Sequence, residues 1–133
     1  MDARQKAVVR NWLERAEEAN EAARQLFEKA HLAGCVSHLH RACFCGVTAL
    51  LRCRSLSPRG HKGVRTVLHA DLMRSGLISV DAAKYYDQMF EEGLRADHRD
   101  FVVFDPAEVK EWLEKAPTFL DEAEKAAAQF LDA

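Results

Sequence analysis

The 133-residue sequence predicts an all-α protein, an antiparallel bundle of four to five helices forming one domain over residues 1–133. Three observations lead there. Apolar residues recur at spacings of three and four along nearly the whole chain. The chain is rich in Ala, Leu, Glu, Lys and Arg and has only three prolines and six glycines, a composition that favours helix. The breaks between periodic segments are short, and short loops between helices turn each one back against its neighbour. A chain of this length buries a sizeable core without needing disulfides or metal.

The first helix is expected from about Ala3 to Ala33. Val8, Trp12, Ala16, Ala23, Leu26, Phe27 and Ala30 mark its apolar face, Asn20 marks a bend and Gly34 the stop. The second runs from about Cys35 to Arg54, with Val36, Leu39, Cys43, Val47, Leu50 and Leu51 as its stripe. Ala42, Cys45, Gly46 and Ala49 are small enough to admit a neighbouring helix closely, which makes this the central helix. "SLSPRG" then breaks the chain. A third helix follows from about His61 to Arg74 on Val64, Val67, Leu68, Leu72 and Met73, closed by Gly76. Ser79 caps a fourth helix that carries Ala83, Tyr86, Met89, Phe90 and Leu94 inward and ends near His98. "FVVFDP" reads as an extended connection packed on the bundle, since a lone strand has nothing to pair with. The last helix opens with Asp105 as N-cap, Pro106 at its first position and Glu108 completing a capping-box pattern. Pro117 is expected to kink or divide it.

Net charge is −2, so no global positive field draws in nucleic acid. Charge is unevenly placed, however. Between Gly34 and Gly76 stand Arg41, Arg52, Arg54, Arg59, Lys62, Arg65 and Arg74 against Asp71 alone. Such a segment either binds phosphate or an acidic partner, or pairs with the chain's own acidic helices. No apolar run approaches the roughly 20 residues that span a bilayer, and the charged N-terminus is unlike a secretory signal. The cytoplasm is the expected compartment. Cys35, Cys43, Cys45 and Cys53 share one helix with His38 and His40. Their directions around that helix do not converge as zinc ligands do, so reduced thiols packed as small apolar residues are expected, with no metal site and no cofactor.

Three segments in register resemble a known family. "AHLAGCVSHLHRACFCGVTALL" is similar to the second helix of the HEPN superfamily, in its branch of small stand-alone prokaryotic proteins. Ala42, Phe44, Val47, Ala49, Leu50 and Leu51 match, while His40 and Arg41 replace the branch's tyrosine pair. "GHKGVRTVL" resembles the start of the third helix through His61, Lys62, Gly63 and Val64. "RADHRDF" resembles the end of the fourth through Ala96, Asp97 and Phe101. The likeness covers about residues 20–130.

What this resemblance implies is a bundle that usually forms a homodimer, often encoded beside a minimal nucleotidyltransferase partner. Some members are toxins that cleave RNA without metal, through an arginine followed after four to six residues by a histidine. His98 stands at the histidine position. The three positions open to the arginine hold Glu91, Glu92 and Gly93, and the nearest upstream arginine is Arg95. The candidate catalytic residues are therefore His98, Arg95 and Asp97. His61, Lys62 and Arg65 are candidate phosphate or RNA contacts, with His61 and Lys62 at the opening of the third helix, where free N–H groups attract anions.

Two functions compete. The preferred one is a non-catalytic or weakly active protein of a toxin–antitoxin-like system that binds a nucleotidyltransferase, a nucleotide or RNA. The alternative is a metal-independent toxin endoribonuclease in which Arg95 and His98, three apart on one helix face, share a phosphate. Restoring arginine at position 93 is expected to raise activity in the second case.

Overall fold

The computed structural model describes residues 1–133 and contains helices and loops without a strand. The helices are α1 (Ala3–Glu28), α2 (Leu32–Cys53), α3 (Gly60–Val67), α4 (Val80–His98) and α5 (Pro106–Leu131), and α3 continues into a π-helical segment, Leu68–Met73. No helix is long and apolar enough to cross a membrane.

The turn Lys29–His31 sends α2 back along α1. Ala30 takes a left-handed conformation there (φ 60°), and the His31 N–H donates to the Leu26 carbonyl. This is the turn a glycine usually makes, and here alanine makes it. The first helix therefore stops at Glu28, and Gly34, expected as its terminator, lies inside α2. Ser55 (φ 58°) ends α2 in the same way, with the Leu56 N–H on the Leu51 carbonyl. Gly76 (φ 80°) does so after the π-segment, as its sequence position predicts.

Centrality of α2 follows from its composition. Fourteen of its residues are buried, including Leu39, Val47, Leu50 and Leu51 with no exposed surface. It packs against α1, α4 and α5. Gly46 lies against Leu120 and Phe119 of α5, at a distance where an added Cβ would touch the Leu120 methyl at 3.4 Å. Each fully buried leucine contributes roughly 1.5–3 kcal/mol of hydrophobic stabilisation. All four cysteines are buried and free. Burial pushes the Cys35 and Cys53 thiols up to about 11 and raises Cys43 and Cys45 as well, which keeps them protonated and inert.

Helix starts divide between the expected and the unexpected. The Ser79 hydroxyl accepts the Ala82 N–H at 3.1 Å, and Asp105 accepts that of Ala107 at 3.0 Å. Asp105 bonds that nearer amide, and no reciprocal bond from Glu108 forms. A full capping box forms instead between Asp2 and Gln5 at the start of α1. Pro117 does not divide α5, which runs unbroken past it. In the connection before α5, Phe104 is buried against Trp112, but Phe101 and Val103 face solvent. "FVVF" is thus anchored at one end and not laid flat on the bundle.

Candidate functional site at the junction of α2, α3 and α4

His98 is the last helical residue of α4, exposed and without a hydrogen-bond partner. Arg95, one turn before it, is half-buried and committed elsewhere. Its guanidinium bonds the Glu92 carboxylate and lies over the Phe104 ring, 4.9 Å from the centroid. Neither residue lines any of the three main concavities. Asp97 is exposed, but its charge acts on His40 of α2. The three candidate catalytic residues share one helix end, and no hydrogen bond or salt bridge joins any two of them.

What converges is one turn deeper. Gly93 is buried, and a Cβ built on it would stand 2.8 Å from the His40 Cβ and 2.9 Å from its ring atoms. No real side chain tolerates that contact without moving His40. Arginine at position 93 therefore requires the imidazole to move. The absence of a side chain at 93 and the presence of a ring at 40 are two halves of one contact.

His40 is 6 % exposed and sits among aromatic rings: His61 at 5.0 Å between centroids, Phe90 at 5.6 Å and Tyr86 at 6.3 Å. Burial, and then the neighbouring His61, pull its pKa down to about 4, while Asp97 opposes them. The ring is neutral near pH 7. Its Nε2 and the Tyr86 hydroxyl are buried without partners, an arrangement that costs free energy unless something satisfies them. Sequence reasoning passed over His40 because its constellation comes from three helices distant in the chain. Two signals were available: His40 in place of a tyrosine of the resembled branch, and Gly93 within an otherwise well-formed helix, since a glycine there usually marks a close approach.

The candidate phosphate contacts lie beside this junction. His61 and Lys62 are exposed near the start of α3, and the His61 ring rests on His40 and on Phe44, 4.6 Å away. Lys62, Arg65, Thr66, His69, Phe90, Glu91 and Leu94 line a shallow depression of about 460 Å³. Arg65 is already neutralised within it. Its Nε is 3.1 Å from Asp87, its Nη1 2.8 Å from Glu91, and its guanidinium lies over Phe90 at 4.6 Å. His69 bonds the same Asp87 at 2.9 Å. Arg54 likewise pairs with Asp71. Part of the basic middle segment is thus matched by the chain's own acids, while Arg41 and Lys62 form no salt bridge. No group of three or more His, Cys, Asp and Glu side chains is arranged to hold a metal ion.

The HEPN domain profile matches residues 9–126, which takes in α1 through most of α5. The chain belongs to the HEPN domain family. A UPF0332 protein of Thermotoga maritima is 32% identical over 118 residues, covering 89% of each chain. A Methanocaldococcus jannaschii protein named "Putative toxin MJ0142" is 24% identical over 125 residues, covering 94% of this chain and 85% of that one. In this HEPN chain, then, Gly93, five residues before His98 and one of three positions open to a motif arginine, is an interior helix contact.

Proposed function

We propose that this chain is a non-catalytic, at most weakly active, HEPN component of a toxin–antitoxin-like pair. It works as a homodimer that binds a minimal nucleotidyltransferase partner in the cytoplasm. The observation that carries this reading is the contact between Gly93 and His40. Cleavage of RNA through its 2′-hydroxyl needs a base, an acid and a cation at the phosphate where negative charge develops. His98 meets the first requirement by residue type. The cation is the missing part, because position 93 is closed by His40 and the Arg95 guanidinium is held by Glu92 and Phe104. The M. jannaschii relative, named as a toxin, supports the system class and says nothing of which member this chain is.

One observation favours the ribonuclease alternative. Arg95 and His98 stand on the same face of the last turn of α4, and a single broken bond to Glu92 would free the guanidinium for a phosphate. The two readings separate in one assay with purified protein, single-stranded and structured RNA, and EDTA. The binding reading predicts no cleavage by wild type and a stable complex on co-expression with a minimal nucleotidyltransferase encoded beside it. Cleavage that survives EDTA and disappears in both His98→Ala and Arg95→Ala, at unchanged melting temperature, would establish the alternative.

A further inference from the structure

Helices α4 and α5 both pack on α2, and between them they leave a groove of about 540 Å³, a volume suited to a small ligand. Its floor is the aromatic pair Tyr85 and Phe119, with ring centroids 5.6 Å apart and both side chains largely buried. The Tyr85 hydroxyl donates to the Trp112 carbonyl at 2.8 Å, which fixes the ring in place. Charge is sorted along the walls. The Ser79 N–H donates to the Glu122 carboxylate at 3.1 Å and so brings Glu122 to the start of α4, where Asp81 sits in the first turn. Lys84 stands one turn further along α4. Lys115 precedes Glu122 by two turns of α5, about 10 Å along the helix axis. All four charged side chains line the groove. It has an acidic end and a basic end over an apolar floor, and no salt bridge joins the acids of one end to the lysines of the other.

Each feature narrows the occupant. A molecule that is only anionic is repelled by Asp81 and Glu122, and one that is only cationic is repelled by the two lysines. A molecule with an ammonium at one end and a carboxylate at the other satisfies both. Length then selects among such zwitterions. A single amino acid cannot reach from Glu122 to Lys115, because one residue spans at most about 3.6 Å. Three extended residues span about 10 Å, and the flexible lysine stems adapt the groove to two. An apolar or aromatic side chain in the middle of such a peptide lies against Tyr85 and Phe119, where two rings offer stacked or edge contacts. Gln88 and Thr118, also on the walls, supply hydrogen-bonding partners for its amides.

We propose that the groove between α4 and α5 binds a di- or tripeptide with free termini. Its ammonium lies at Asp81 and Glu122, its carboxylate at Lys84 and Lys115, and an apolar side chain rests on Tyr85 and Phe119. The groove shares no residue with the Gly93–His40 contact or with the His98 end of α4, so the inference is independent of the function proposed above. It is tested by titrating the isotope-labelled full chain with the tripeptide Ala-Phe-Ala and following the backbone amide resonances by nuclear magnetic resonance. The expected result is saturable shifts centred on residues 79–88 and 115–122. Acetylating and amidating the peptide together should weaken binding about tenfold, and Asp81→Ala or Lys115→Ala about two- to fivefold each, as for exposed ion pairs. Both side chains are exposed, so the two variants keep the fold. The effects should also be matched end to end. Asp81→Ala should leave affinity for the acetylated peptide unchanged, and Lys115→Ala should leave affinity for the amidated one unchanged. Absence of saturable shifts in the groove would overturn the proposal. So would equal affinity for the free and the doubly blocked peptide, or a loss in Asp81→Ala that persists in full with the acetylated peptide.

Discussion

An imidazole kept neutral inside an apolar contact makes stability depend on pH. The pKa of His40 falls from an ordinary 6.5 to about 4 on folding, mainly through burial. Above pH 6.5 both states are neutral and its stabilisation is complete. As pH falls from 6.5 through 4, the unfolded chain takes a proton that the folded chain refuses, and up to about 3 kcal/mol is lost. His40→Phe keeps a ring against Gly93 and removes the titration together with the unsatisfied Nε2. Urea unfolding should therefore show a smaller loss on acidification in the variant than in wild type. Equal losses would place His40 in contact with water. Glu124, raised to about 7 chiefly by its bond to Glu17, has the opposite slope, losing stability as pH rises through that value. It is common to both proteins and cancels in the comparison. At Gly93 the prediction concerns space. Gly93→Ala gains up to about 1 kcal/mol in helix propensity but drives a Cβ into His40, an overpacking that costs typically 1–3 kcal/mol. Net destabilisation in thermal melts is expected, and a net gain would show that His40 moves aside. The sequence marked both positions, His40 as a replaced tyrosine and Gly93 as a gap in a motif, without showing that the two touch. Both depend on α2 meeting α4, a contact made by the fold rather than by neighbours in the chain.

Helices were far more legible than contacts between them, because each helix writes its own period and caps. Ser79 and Asp105 were readable as N-caps since a side-chain oxygen before an apolar run has one structural use. The end of α1 was misplaced because Ala30 adopts the left-handed turn that the sequence code assigns to glycine, and the packing of α1 on α2 outweighs that local cost. The π-segment Leu68–Met73 carries no sequence mark; Leu68 and Leu72 read as ordinary helical spacing. Pro117 lacks an N–H and crowds the preceding turn, which is the ground for expecting a kink or a division there. In α5 the buried Trp112, Ala116, Phe119 and Leu120 on either side hold the helix through it. The proline is then a tolerated cost. Pro117→Ala, at an exposed position, should raise stability by up to about 3 kcal/mol in denaturant titration. A loss would mean that α5 needs the proline's geometry to seat Phe119 and Leu120 on α2.

For the whole molecule, packing and charge meet at the junction of α2, α3 and α4. The central helix α2 presents small residues to its neighbours and lets α4 and α5 close around it, and the same closeness shuts position 93 against His40. Family membership carried the fold nearly complete, since segment order and apolar pattern are properties of the chain itself. It did not carry chemistry, which depends on whether one guanidinium is free at the right point. Cations and acids along α3 and α4 satisfy each other through Arg65, Asp87, Glu91 and His69. This distribution suits a protein that holds partners rather than one that cuts them. The most direct measurement is the cleavage rate of purified wild type and His98→Ala on single-stranded and structured RNA, with and without EDTA. Equal rates for the two proteins, at the level of buffer alone, are the predicted result. EDTA-insensitive cleavage by wild type that His98→Ala abolishes at unchanged melting temperature would contradict the account.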